Sequence, residues 1–238
     1  MNSQLDGFEI HKNNTNENTF QLTFKQSSPT LIHSVLKTNL INGYTDETYS
    51  TITLTAHSVK TLKEYQEDYL TLHGKRSLLV TDAAKAIRSL VKQLSYLITN
   101  EKHTILGYNP EYIVVINDKT FVFLCSELVV PFIENTETVL LCNPFSPLDF
   151  YFSPEIRRIQ KIPVFIHYKT SYFSFACVIL YLLLGNNDFY INAMNNAMKD
   201  DESILTSVDN HPVKHTKIYW LLSRCLVEPY KNRTILLI

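Results

Sequence analysis

The apolar positions of this chain recur with two periods, and the change from one to the other divides it. Up to about residue 57 apolar and polar residues alternate. Between Phe8 and Lys25 two alternating stretches flank an Asn/Thr-rich turn, with Phe20, Leu22 and Phe24 on one face and Gln21, Thr23 and Lys25 on the other. That is the pattern of a β-hairpin with one face buried. Ser28 then stands as an N-cap with Pro29 at the first helical position, and Leu31, Ile32, Val35 and Leu36 form an apolar stripe. This predicts a helix from Pro29 to Leu40, ended by Gly43. The stretch STITLTAH, Ser50 to His57, adds a strand, so the first segment reads as a small sheet with one short helix.

From Val59 the period becomes three to four. The stretch from Thr81 to Ile98 opens at a Thr/Asp cap and carries Ile87, Leu90, Val91, Leu94 and Ile98 along one face, which predicts a strongly amphipathic helix. Next comes ILGYNPEYIVVIND, Ile105 to Asp118: a tight loop, a strand from Ile113 to Ile116, an Asn-Asp turn and a second strand from Thr120 to Leu124. After a loop with four prolines between 131 and 154 the remainder is expected to be helical. The most apolar run, Tyr172 to Leu184, is well short of the ~20 residues of a membrane span and reads as a buried helix.

Composition narrows the functional classes. The chain has 238 residues, of which 45% are hydrophobic and 19% charged, with a formal net charge of −1. It is long enough for a good core without disulfides, and it offers no bulk attraction to nucleic acid or an anionic membrane. Neither is expected as a partner. Four cysteines, Cys125, Cys142, Cys177 and Cys225, are too widely spaced for a metal knuckle. They suggest a reduced, intracellular setting, cytoplasmic or nuclear. The polar start MNSQLDGFEI lacks the basic and apolar regions of a secretory signal.

Five local stretches, in order, carry a resemblance to the eukaryotic protein kinase superfamily. SVKTLKEY, Ser58 to Tyr65, resembles the end of the hinge and the start of the next helix. NPEYIVV, with Pro110 and Glu111, is similar to the catalytic-loop stretch Lys-Pro-Glu-Asn-Ile-Leu-Val. YFSPEI, Tyr151 to Ile156, resembles the Ala-Pro-Glu that closes the activation segment. The stretch from Ser171 to Phe189, with Ser174 and Gly185, is similar to the central helix of the large lobe. CLVEPYKNR, Cys225 to Arg233, resembles the Cys-Leu-x-x-Asp-Pro-x-x-Arg ending. The resemblance covers about Val59 to Leu236 well and the first 57 residues loosely. It implies an α+β, two-lobed fold: a reduced β-rich N-lobe, residues 1–57, and a larger, mainly helical C-lobe, residues 58–238, forming one domain.

The chemistry of that family does not come with the resemblance. Phosphoryl transfer needs a carboxylate near the acceptor hydroxyl, magnesium ligands, a lysine on the phosphates and a loop whose backbone approaches them. Aligned on Pro110 and Glu111, the catalytic aspartate falls at Gly107, the following lysine at Asn109 and the magnesium-binding asparagine at Tyr112. The metal-binding aspartate falls at Cys125, and a thiol is the wrong donor for magnesium. Gly7 and Gly43 are the two glycines of the first 57 residues, too few for a phosphate-cradling hairpin. Lys25, in a stretch similar to Val-Ala-Ile-Lys, is the residual candidate for a nucleotide contact. No acid between Ser27 and Thr45 is there to pair with it.

The resemblance with these losses implies a pseudokinase that works as a binding, scaffolding or allosteric module. Its expected partner is another protein, such as an active kinase or its substrate, and ATP and Mg²⁺ are not expected as cofactors. The alternative is a divergent serine/threonine kinase retaining ATP binding or weak transfer through Lys25, Glu127 or Glu111. Glu155 and Arg233 are expected to form a structural ion pair, as the matching family positions do. Ile191, Met194 and Met198 recur at helical spacing on an outer helix and are the first candidate partner surface; the short helix around His33 and Lys37 is the second.

Overall fold

The structure is a computed structural model that describes residues 7–13, 18–143, 150–195, 202–209 and 211–235, the side chains of 193–195, 202 and 203 excepted. It is mixed α+β. The order opens with β1 (Phe8–Lys12), β2 (Thr19–Phe24), α1 (Pro29–Leu36), β3 (Gly43–Thr45) and β4 (Thr51–Thr55). These strands form an antiparallel sheet in the order β1-β2-β4-β3. Phe20, Leu22 and Phe24 are buried, as alternation requires, against Leu31, Ile32 and Val35 of α1 and Ile52 and Leu54 of β4.

Two details of this region differ from the sequence reading. Helix α1 stops at Leu36, short of Leu40. Asn39 takes a left-handed φ of 53° and turns the chain, so the N–H groups of Leu40 and Ile41 both return to the Val35 carbonyl at 3.0 and 3.1 Å. Gly43 does not end a helix; it opens β3. A Cβ there would lie 2.2 Å from the Thr53 carbonyl oxygen, so the absent side chain is what lets β3 approach β4.

β5 (Val59–Thr61) and α2 (Leu62–His73) follow, then α3 (Val80–Tyr96). The expected Thr/Asp cap does not form: α3 begins at Val80, with Leu79 as a cap that makes no side-chain bond. Asp82 serves side chains instead, accepting from Tyr69 Oη of α2 at 3.0 Å and from Lys85 Nζ of its own helix at 2.6 Å. After one wide turn, Leu97–Glu101, come β6 (His103–Ile105), β7 (Gly107–Tyr108), β8 (Ile113–Ile116) and β9 (Thr120–Phe123). Asn117 and Asp118, with φ of 54° and 52°, make the β8–β9 turn, the conformation such short hairpins favour.

β5, β8 and β9 form a three-stranded sheet buried on both faces. Ile113, Val115, Phe121 and Phe123 point into a core shared with α2, α3 and the later helices, whereas Val114, Ile116, Val122 and Leu124 point into the core under the first sheet. Two hydrophobic cores therefore meet on one partition. Gln93 of α3, fully buried, joins them: it donates to Ser34 Oγ of α1 at 3.1 Å and to the Phe123 carbonyl at 2.9 Å, and accepts from Phe123 N–H at 2.9 Å.

The remaining elements are β10 (Val129–Pro131), β11 (Thr138–Leu141), β12 (Tyr151–Phe152), α4 (Pro154–Arg157), β13 (Val164–His167), α5 (Thr170–Leu184), α6 (Asp188–Asn195), α7 (Glu202–Thr206) and α8 (Lys217–Leu226). The expectation that everything after the proline-rich loop is helical fails at β13, and the loop itself, expected without strands, holds β11 and β12. β11 pairs with β13, β12 with β7, and β10 with β6. Four-residue apolar runs such as VFIH carry too little periodicity to separate strand from helix. The central helix α5 is buried almost all round, which explains its near-continuous apolar sequence.

Candidate functional site

The first sheet and the segments after it border an open cleft with a cavity volume of about 560 Å³. Phe8, Ile10 and Lys12 of β1 contribute one wall, with Phe20 of β2; Val59 and Thr61 of β5, Glu64 of α2, and Glu111 and Tyr112 contribute the others. Register settles which face of β2 looks this way. Phe8 pairs with Phe24, Ile10 with Leu22 and Lys12 with Phe20, and directly opposed residues point to the same side. The cavity therefore lies on the Phe20–Leu22–Phe24 side. Lys25, the candidate for a nucleotide contact, belongs to the opposite face; it is exposed just past the end of β2 and does not line the cavity.

The charge of this cleft is unsuited to a polyphosphate. Among the described residues its lining holds one cation, Lys12, and two carboxylates, Glu64 and Glu111. Glu64 is fixed by a capping box at the start of α2: its Oε2 accepts from the Thr61 N–H at 2.7 Å and from Thr61 Oγ1 at 2.9 Å, while Thr61 Oγ1 accepts from Glu64 N–H at 3.2 Å. Lys12 lies 6.0 Å from the Phe20 ring centre. Phe8, Ile10, Phe20, Val59 and Tyr112 supply most of the rest of the described surface, with Thr61.

Beneath the cleft the loop from His103 to Tyr112 is built from packing and backbone bonds. β7 pairs with β12 so that Gly107 faces Phe152 and Tyr108 faces Tyr151. The Phe152 ring fills the space beside Gly107: a Cβ at that position would lie 2.5 Å from Cε1 and 2.7 Å from Cδ1. No side chain fits there without moving the ring. Tyr190 of α6 holds β12 in place, accepting from Phe152 N–H at 2.8 Å and donating within 3.2 Å of the Phe150 carbonyl and 3.0 Å of the Phe152 carbonyl. Ser174 of α5 donates to the Leu106 carbonyl at 3.1 Å and ties the loop to the central helix.

Asn109 is a turn builder: its Oδ1 accepts from Glu111 N–H at 2.8 Å and caps the short turn Pro110–Tyr112. Tyr112 stacks on Phe150 at 5.9 Å between ring centres. Cys125 is fully buried, Glu127 is exposed, and His103 spends its Nδ1 on the Glu101 carbonyl at 2.6 Å. Burial pushes the Tyr108 phenol far above its ordinary range, and its hydroxyl finds no hydrogen-bond partner among the described residues. Among those residues no group of three or more His, Cys, Asp or Glu is placed to hold a metal ion, and no helix is long and apolar enough to cross a membrane.

Glu155 and Arg233 meet in the geometry of a bidentate pair. Nη1 donates to Oε2 at 3.0 Å and Nη2 to Oε1 at 2.8 Å, and Nε donates to the Val227 carbonyl at 3.0 Å. The guanidinium is wholly buried over the Phe173 ring. Of the outer-helix candidates, Ile191 is 43% exposed on α6. The side chain of Met194 and the whole of Met198 lie outside the described residues. Phe152 and Tyr190, which decide the shape of the loop, carry no local signal in the sequence; their role follows from the pairing of two-residue strands far apart in the chain.

No protein-family model and no curated protein matches this chain.

Proposed function

We propose that the chain is a catalytically silent, protein-kinase-like domain that acts by binding another protein. The observation that carries this reading is the filled position at Gly107. Where the resemblance calls for the catalytic carboxylate there is no side chain and no room for one, because the Phe152 ring occupies the space. The neighbouring metal position is Cys125, a buried thiol with the wrong donor chemistry for magnesium. The fold supports the resemblance in its order. A helix, α1, sits between the second and third strands of a small antiparallel sheet, a short connection leads to α2, and the loop brings Glu111 and Tyr112 to the cleft before running into the β8–β9 hairpin. The small lobe on this reading is residues 1–57 and the large lobe residues 58–238.

The cavity favours a second reading, nucleotide binding without transfer, since it has the volume for a base and a sugar. Its two carboxylates against one lysine oppose a triphosphate, so Mg-ATP binding weaker than about 100 μM is expected. Isothermal titration of the whole chain with ATP, with and without Mg²⁺, tests this. A magnesium-dependent dissociation constant near ~10 μM, about −7 kcal/mol, together with transfer to itself or to a generic acceptor, would overturn the silent reading.

A further inference from the structure

Strand β13 has one edge bonded and one edge open. It pairs with β11 in the register Val164–Leu141, Phe165–Leu140, Ile166–Val139 and His167–Thr138. The Tyr168 N–H donates to the Glu137 carbonyl at 3.0 Å. Inward-bonding residues alternate along an antiparallel pair, so Val164 and Ile166 bond toward β11 with Tyr168. Phe165 and His167 accordingly turn their N–H and C=O groups to the other side. Among the described residues no strand pairs with that side.

Proteins ordinarily blunt or cover such an edge. Here it opens on a groove of about 580 Å³. All four residues of β13 line it, with Arg158, Ile159 and Lys161 from the preceding segment. Phe165 is 59% exposed and its cross-strand neighbour Leu140 is 46% exposed, so the strand also offers apolar surface. The rim is basic. Arg158 and Lys161 stand in the lining, Lys169 follows β13 with its Nζ on the Lys231 carbonyl at 3.1 Å, and the Glu137 carboxylate is engaged by His167 Nε2 at 3.0 Å. Glu155, in the groove wall, is already matched by Arg233. Arg158 meets Glu228 at 3.5 Å with both side chains well exposed, a pair that an incoming carboxylate can replace at small cost.

We propose that this edge and groove form a docking site for an acidic, extended segment of a partner protein, taken up as an added strand along β13. An added strand supplies donors and acceptors to match the outward C=O and N–H groups. A phosphodiester backbone carries acceptors alone and would leave the Phe165 and His167 carbonyls unmatched. Alternating acidic and apolar residues suit a groove with a basic rim and with Ile159, Val164 and Phe165 inside it. The inference rests on the reading of the chain as a protein-binding module and says where and what it binds. It does not involve the cleft, so the ATP titration and the test below can fail separately.

The test is fluorescence polarisation of the whole chain with a labelled Glu-Val-Glu-Val-Glu-Thr peptide and its Lys-for-Glu counterpart. The acidic peptide should bind at least about tenfold more tightly than the basic one. Phe165→Pro removes one outward N–H and leaves the bonds to β11 untouched; it should weaken binding about tenfold or more with the melting temperature retained. Lys161→Glu should weaken it as well. Should Phe165→Pro fail to fold, the acidic peptide with its alternate amides N-methylated makes the same test from the other side, and it should not bind. Binding indifferent to both Phe165→Pro and N-methylation would show charge attraction without strand addition and overturn the proposal. So would no binding of the acidic peptide up to about 1 mM, or its displacement by a single-stranded oligonucleotide that binds more tightly.

Discussion

Gly107 and Arg233 are the two residues whose surroundings leave least choice. At Gly107 the neighbour is an aromatic ring held by a strand pair and by the Tyr190 hydroxyl, so the ring yields poorly. Gly107→Ala should therefore behave as an overpacking change and destabilise by about 1–3 kcal/mol in urea unfolding; a stability equal to the parent's would show that Phe152 rotates away freely. Arg233 is wholly buried, and its charge is matched by Glu155, whose side chain is 21% exposed. Removing one partner of a buried pair costs about 3–5 kcal/mol, and the partial exposure of the carboxylate puts Glu155→Ala toward the lower end. A melting temperature no lower than that of a surface control such as Glu67→Ala would contradict it.

The elements legible in advance were those with strong local signals. The β8–β9 hairpin announces itself through IVVI, the Asn-Asp turn and TFVF, and α3 through an apolar stripe several turns long. The pairings of β7 with β12 and of β11 with β13 are between strands of two and four residues, joined by long connections. Nothing in either partner's sequence names the other. The face of β2 that looks onto the cavity is hidden for a related reason: alternation separates two faces but does not say which one borders a cavity, and register with β1 decides that. β13 also supplies a pH-dependent contribution. Burial holds the His167 imidazole below its ordinary value of 6.5, against the opposing bond to Glu137. The unfolded chain thus takes up the proton first, and stability present above about pH 6.5 is lost as pH falls toward the folded value. His167→Gln should show a smaller drop in melting temperature between about pH 7.5 and 5.5 than the parent; an equal drop would assign the dependence elsewhere, for instance to His211, which burial also lowers.

At the scale of the whole molecule, β8 and β9 belong to both cores at once. Opening either core exposes one face of the same strands, so neither can come apart without loosening the other. Native-state hydrogen exchange should find the amides of Val114, Val115 and Val122 among the slowest in the chain, with protection approaching that of global unfolding; early exchange there would mean that the first sheet detaches as a separate unit. The partition has a further consequence for the sequences this fold tolerates. In a strand with one wet face, a one-residue insertion puts polar groups inside and apolar groups outside, and is eliminated for that reason. In β8 every position is apolar, so the same insertion would violate no rule of polarity. It would instead hand each core the side chains cut for the other, and the error would be read in shape alone: Phe121 and Phe123 would meet Val114 and Ile116 where they now meet Ile113 and Val115.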